Sequence, residues 1–372
     1  MNTEVYHIDG SDCDTEKLLA AAKTLRNGGL VIIPTETVYG IAARADEAGI
    51  DALTTLKGRD LSKPFSLHIP DVSFLGKYVP NVDMRAAKLV HNFWPGPVTV
   101  VFKLSDADVK QQLKSLGKQW TGIYKDNSVA IRCPDNTAVS KLLELAEVPV
   151  VATSANLSGE PAATTFEQAF EVFNGKVPIM IDDGQCQEQT GSTVVRVSGS
   201  SIDILREGAV ESEDISDIAT VDIVFVCSSN TCCSPLAAEL LKKRLAAKAG
   251  CGVDELEMFG YKVRSAGVKV PISQPARQEA LRLAEILGLN LTEHSTTPLS
   301  PRDMLCCDLI FTMEQEQRDR ILNFYPHLAD RCRLLADDYD ICDPLDGNND
   351  VYDKFAEILQ SCIDEKLGEI LI

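Results

Sequence analysis

The sequence predicts two α/β domains in tandem, and three observations carry that expectation. A chain of 372 residues with 45% hydrophobic content exceeds what one hydrophobic core usually serves. Short β-branched apolar runs alternate with segments of helical apolar spacing, the pattern of sheets covered by helices. Between the halves lies AVESEDISDIATVD (209–222), short, acidic and poor in large apolar residues. Of the 12 cysteines only Cys13, Cys133 and Cys186 precede residue 210, so composition shifts at the same place. We expect a linker at 209–220 and domains of about 1–210 and 221–372.

The elements follow in order. Glu16–Arg26 carries an apolar stripe at helical spacing and ends at Gly28-Gly29, a helix stop. Leu30–Ile33 is an apolar strand, and strands and helices then alternate to Arg206-Glu207-Gly208. Past the acidic segment, VDIVFVC (221–227) reads as a buried strand and Ser234–Ala249 as a helix opened by Ser-Pro. Tyr261–Ser265 is a short strand, and Gln274–Leu287 a helix closed by Gly288. Asp308–Met313 is a strand, Glu314–Phe324 a helix, and Asp350–Leu371 a long closing helix. Strands alternating with helices predict a parallel sheet with helices on both faces of the second domain.

Composition excludes several function classes. A formal net charge of −19 opposes a broad nucleic-acid surface, which needs basic patches against phosphates, but leaves room for a local basic pocket. Nothing in MNTEVYHIDGSDCD resembles a signal peptide, and no apolar run has the length of a membrane span. A cytoplasmic location is therefore expected. No C-x-x-C pair or Cys/His spacing predicts a metal site, and the adjacent pairs Cys232-Cys233 and Cys306-Cys307 are poor disulfide frameworks. Reduced thiols are expected.

Five stretches of the first half stand out: PTETVYG (34–40), KGR (57–59), FWPGPVT (93–99), AIRCP (130–134) and TSANLSG (153–159), followed by GSTVV (191–195) and LREG (205–208). Taken singly, the first could be a turn and the second a solvated helix end. Together they interleave Lys57, Arg59, Lys63, Arg132 and Arg206 with small hydroxyl residues, a mixture suited to a polyanion beside an amino-acid-sized group. No GxxxxGK[ST] loop is present, so the pattern is not that of a P-loop nucleotide site.

In order and spacing these stretches resemble the YrdC-like family of L-threonylcarbamoyladenylate synthases over residues 12–208. The family's K-x-R element stands as Lys57-Gly58-Arg59 and its S-x-N element as Ser154-Ala155-Asn156. The resemblance implies a twisted-sheet α/β fold. It also implies a reaction of L-threonine, bicarbonate and ATP to threonylcarbamoyl-AMP and pyrophosphate, with Mg²⁺ accompanying ATP. The product would feed tRNA threonylcarbamoyladenosine modification through a downstream transfer machinery. By the same resemblance Lys57 and Arg59 are catalytic, and Arg59, Lys63, Ser128, Ser154, Asn156 and Arg206 serve the nucleotide. Thr35, Thr37, His68, Arg132 and Ser192 surround threonine, with Arg132 facing its carboxylate. Lys63-Pro64-Phe65-Ser66-Leu67 leans instead toward the YciO-like branch, which keeps a regulatory nucleotide- or RNA-binding protein as the alternative.

The second half resembles the low-molecular-weight protein tyrosine phosphatases, whose signature is a strand followed by C-x-x-N-x-x-R-S-P. Cys227, Asn230, Ser234 and Pro235 occupy those places, and Ser265-Ala266-Gly267, DLIFTM and Asp343-Pro344 follow in the family's order. The resemblance implies a doubly wound parallel sheet, Cys227 as nucleophile, Asp343 as acid, and a phosphate loop of Cys227, Asn230, Cys232, Cys233 and Ser234. Cys233 stands where the family has arginine, whose fork clamps phosphate. Leu345-Asp346 stands where aromatic residues usually follow Asp-Pro. Efficient phosphatase activity is therefore not expected, although a bifunctional synthase and phosphatase remains a further alternative.

Overall fold

The computed structural model describes residues 2–8, 14–58, 65–198, 201–270, 273–344 and 349–370. Cys13, Arg59, Lys63 and the pair Leu345-Asp346 lie outside the described residues. The chain forms two compact units, Met1–Ser198 with Ile202–Ile218, and Gly199–Ser201 with Ala219–Ile372. No helix among the described residues is long and apolar enough to cross a membrane.

The first unit is built on a mixed sheet. Its strands are β1 (Glu4–His7), β2 (Val31–Ile33), β3 (Gly40–Arg44), β4 (Ser66–His68), β5 (Val98–Lys103), β6 (Ser128–Arg132), β7 (Val150–Ser154), β8 (Ile179–Asp182), β9 (Thr193–Ser198) and β10 (Ser201–Arg206). They lie in the order β1-β8-β2-β3-β7-β4-β6-β5-β9-β10. β3 runs antiparallel to β2 and β7, β7 to β4, and β5 to β6. β1 and β8, β2 and β8, β4 and β6, and β5 and β9 pair in parallel.

Strand alternation decides which side chains reach the core. In β5, Val98, Val100 and Phe102 are buried among apolar neighbours, leaving Thr99, Val101 and Lys103 on the other face. The helix Thr15–Arg26 is capped by the Asp14 carboxylate, which accepts from the Glu16 and Lys17 amides. Its buried Leu18, Ala21, Ala22 and Leu25 have the i, i+3, i+4, i+7 spacing of one helix face. They share a core with helix Thr137–Ala146 and residues of β2, β3, β7 and β8. Each fully buried leucine there contributes about 1.5–3 kcal/mol.

The acidic segment expected to be a linker contains the helix Ser212–Ala219. Ile215 and Ala219 are fully buried, while Glu213 and Asp214 occupy its first turn, where the helix dipole favours negative charge. The acidic run is the opening turn of an amphipathic helix.

The second unit is a four-stranded sheet of β11 (Val221–Cys227), β12 (Tyr261–Gly267), β13 (Leu309–Thr312) and β14 (Cys332–Leu334), ordered β12-β11-β13-β14. All three pairings are parallel. β11 is covered on both faces, with Ile223 through Val226 fully buried, which explains its unbroken apolar run. The chain leaves β11 for a neighbour on one side and reaches β13 on the other. Cys227 therefore ends β11 at the switch point where such sheets place ligands.

Candidate functional site

The first unit holds a pocket of about 900 Å³ lined from β4, β5, β6, β9 and β10 and from the segment joining β2 to β3. Sheet register builds its wall. Lys103 pairs with Ser128, and Val101 lies between Ala130 and Arg196, so alternate residues of three adjacent strands share the pocket face. Thr35, His68, Ser128, Arg132, Ser154, Ser192 and Arg206, all expected from the sequence, line it.

The turn after β2 is closed by its own hydroxyls. The Thr35 hydroxyl donates to the Val38 carbonyl at 2.6 Å and lies 2.9 Å from the Thr37 hydroxyl. Thr37 is fully buried and holds Arg132, whose Nη2 donates to its Oγ1 at 2.6 Å and to Glu36 Oε1 at 2.8 Å. The expectation that Arg132 awaits a substrate carboxylate therefore meets a difference: Glu36 already supplies a carboxylate. Both side chains of the pair are more than nine-tenths buried, and Arg132 Nε is buried without a hydrogen-bond partner. Glu36 is a site residue that motif reading missed, although it stands in the middle of PTETVYG.

His68, at the end of β4, places Nδ1 3.1 Å from the Ser66 carbonyl. A carbonyl only accepts, so Nδ1 carries the proton and Nε2 of the neutral ring is an acceptor. Burial, aided by the charge of Arg132, pushes the His68 pKa down to about 3. Ser192 bonds Thr99 at 2.9 Å and is embraced by Arg206, which donates from Nε and Nη2 to the Ser192 carbonyl and from Nη2 to its hydroxyl at 3.0 Å. Ser128 donates to the Lys125 carbonyl.

Lys57 ends the helix Glu47–Lys57, stopped by Gly58 at φ 59°, and is buried. Its ammonium donates to the Ser154 carbonyl and, at 3.1 Å, to Asn156 Oδ1, while the Ser154 hydroxyl donates to the same Oδ1 at 2.6 Å. The two motifs are thus brought together in one network. Ser154 faces the pocket from this network, whereas Lys57, Asn156 and Thr37 stand behind the lining.

Charge distinguishes the pocket. Lys103, Lys125, Arg132, Arg196 and Arg206 line it against Asp126 and Asp203, in a chain of formal charge −19. Lys103, Lys125 and Arg196 were not anticipated; each is a single cation in or beside an otherwise apolar strand, and no motif marks it. Such a concentration of cations draws an anion out of water and fixes its oxygens.

The second unit has a cleft of about 550 Å³ at the end of β11, lined by Cys227, Cys233, Arg277, Asp343 and neighbours. The loop after Cys227 is tightly braced. Asn230 adopts φ 58°, its Nδ2 donates to Ser234 Oγ and Ser265 Oγ, and its Oδ1 accepts from the Thr297 amide. Cys227 Sγ accepts from the Asn230 amide at 3.1 Å and lies 2.9 Å from Ser234 Oγ. Burial pushes the Cys227 thiol up, against the lowering effect of those bonds.

No guanidinium comes from position 233. Arg244 is forked onto Asp364, and Arg264 is held by Asp222, Asp303 and Cys307. The arginine that does enter the cleft is Arg277, which sequence reading overlooked because it lies in a different element. It donates to Thr231 Oγ1 at 3.3 Å and to Asp343 Oδ2. Asp343, expected as an acid, is thus ion-paired, and burial raises its pKa while Arg277 opposes the rise. Cys232, Cys233 and Asp343 group their ligand atoms within 4.8 Å of one another.

Residues 23–208 match the Sua5/YciO/YrdC family model, described as "Telomere recombination", and residues 222–370 match the model of the low molecular weight phosphotyrosine protein phosphatases. The chain is 34% identical over 203 residues to a threonylcarbamoyl-AMP synthase of Pyrococcus abyssi, covering 54% of this chain and 57% of that protein's length. It is 34% identical over 208 residues to the threonylcarbamoyl-AMP synthase of Homo sapiens, covering 53% of this chain and 70% of that one. A solved structure of a P. abyssi Sua5 variant superposes with a TM-score of 0.51 at 27% identity, covering 77% of this chain and 89% of that chain.

Proposed function

The chain belongs to the Sua5/YciO/YrdC family, and from that premise we propose that its first unit is an L-threonylcarbamoyladenylate synthase, joining L-threonine, bicarbonate and ATP into threonylcarbamoyl-AMP and pyrophosphate. The observation that carries the reading is the cation-lined face of the 900 Å³ pocket, large enough for a nucleotide beside an amino acid. The reaction brings a carbamate, itself an anion, against the α-phosphate of ATP. Two anions approach only where fixed cations offset their repulsion and hold them in line.

In this reading Lys103, Lys125, Arg196 and Arg206 hold the triphosphate. Ser128 and Ser154 donate to the nucleotide, and Lys57 with Asn156 fixes Ser154 from behind. Arg59 and Lys63 are proposed to complete the nucleotide site. The threonine end lies at Thr35, His68 and Ser192. His68 Nε2 accepts from the threonine ammonium or hydroxyl, and Arg132, held by Thr37 and Glu36, contributes its positive charge near the carboxylate. Mg²⁺ fits as a companion of ATP: Asp126 and Asp203 are the lining carboxylates, of the hard-oxygen kind it takes alongside phosphates. The adenylate would pass to a tRNA-modifying transfer machinery in a reducing, cytoplasmic setting.

Calorimetry on the full chain tests the assignment. ATP with Mg²⁺ and L-threonine should each bind, and Arg196→Met should weaken ATP while leaving threonine unchanged. Loss of threonine binding alone in that variant would reverse the two subsites; absence of both ligands would remove the reading.

The second unit is proposed to lack efficient phosphatase activity. Its loop keeps nucleophile and braces, but Arg277, the arginine that lines the cleft among the described residues, is neutralised by Asp343.

A further inference from the structure

We propose that the second unit binds a thiophilic divalent cation such as Zn²⁺ at Cys232, Cys233 and Asp343. The three ligand atoms lie within 4.8 Å of one another. Zinc–sulfur bonds of about 2.3 Å and zinc–oxygen bonds of about 2.0–2.2 Å need only small side-chain closure from that arrangement. A second observation points to a ligand independently. Asp343 Oδ1 is buried without a partner at hydrogen-bond geometry, the Cys232 thiol being the further donor that meets this carboxylate, and a metal ion would take the place of that thiol proton between the two groups.

Arg277 fits the same reading. It occupies Oδ2 of Asp343, which orients the carboxylate with Oδ1 turned away from the ion pair, the task of an outer partner in a metal site. Binding releases the two thiol protons, so two thiolates, one carboxylate and Zn²⁺ carry a net charge of −1. The guanidinium brings the assembly to neutrality, which a mostly buried site requires. Cys232 and Cys233 are 1% and 2% exposed, while Cys233 and Asp343 line the cleft, leaving the fourth coordination position to water or an incoming anion. Exchange of a guanidinium for a thiol at 233 thus turns a place suited to an oxyanion into one suited to a soft cation. The third ligand lies far from the adjacent pair Cys232-Cys233 in sequence, in the segment that follows β14, so spacing gave no sign of the site.

Cobalt substitution tests the site on the reduced, metal-free full chain. One equivalent of Co²⁺ should give a thiolate-to-cobalt charge-transfer band with tetrahedral visible bands, and Zn²⁺ should displace it. Cys233→Ser should weaken the band and lower affinity at least roughly tenfold, and Asp343→Asn should lower affinity similarly while keeping the band at saturation. Cys306→Ser, an exposed cysteine outside the cluster, should change neither. Circular dichroism verifies the fold of each variant, and if Cys233→Ser does not fold, Asp343→Asn decides. A cobalt spectrum without thiolate charge transfer, or affinity unchanged in Asp343→Asn, would overturn the proposal.

Discussion

Arg132 and Glu36 form a buried ion pair in the wall of the larger pocket, and its chemistry sets two expectations. Breaking such a pair leaves one charge uncompensated, at a cost of about 3–5 kcal/mol. Glu36→Ala should therefore lower the stability of the first unit by that order. The chain's tryptophans, Trp94 and Trp120, both belong to that unit and are buried, so their fluorescence in urea reads the change; a shift below about 1 kcal/mol would mean another group neutralises Arg132. His68 gives a pH dependence. Its folded pKa is about 3 against about 6.5 unfolded, so the unfolded chain binds the proton first. The stability contribution of neutral His68 is fully present above pH 6.5 and declines as pH falls toward 3. His68→Asn, which keeps a donor for the Ser66 carbonyl, should lose less stability than the wild type across that window. Parallel decline of the two proteins would show that His68 does not titrate there.

At the scale of elements, the loop from Cys227 to Ser234 depends on Asn230. Alanine would abandon bonds to Ser234, Ser265 and Thr297 at a φ of 58°, costing about 1–3 kcal/mol for the unsatisfied groups alone. Hydrogen-exchange protection of β11 should fall accordingly in Asn230→Ala; unchanged protection would mean the loop is held from elsewhere. Restoring the guanidinium by Cys233→Arg should raise p-nitrophenyl phosphate hydrolysis about tenfold or more, and equal, efficient turnover by the wild type would show that Arg277 already serves the phosphate.

Local chemistry made many of these elements legible. Helix Thr15–Arg26 announced itself by apolar spacing and Gly28, and β11 by a continuous β-branched run. The helix Gln278–Leu287 starts later than the apolar pattern suggested, because the Arg277 amide donates to the Thr231 carbonyl and holds the chain extended, a long-range contact that spacing does not encode. The acidic segment falls where the chain divides into its two units, but the helix inside it was not legible, because Ile215 and Ala219 gain their meaning only from burial. In the sites, Ser154 with Asn156 and Cys227 with Ser234 were readable as motifs. Glu36, Lys103, Arg196 and Arg277 were not, since each acts through a partner that only the fold brings near.

On the scale of the whole molecule, an acidic chain concentrates cations on one sheet face of its first unit and thiols at one strand end of its second. The first concentration is the central claim, because a synthase must hold two anions in line. Each unit carries its own pocket, so the chemistry of one can be measured with the other intact. The most direct measurement is pyrophosphate release by the full chain supplied with Mg²⁺ and ATP, L-threonine and bicarbonate, each omitted in turn, with the nucleotide product identified by mass. The account predicts release only when all three substrates are present, accompanied by threonylcarbamoyl-AMP. Release that continues without threonine, or a folded protein that forms no adenylate from the complete mixture, would contradict it.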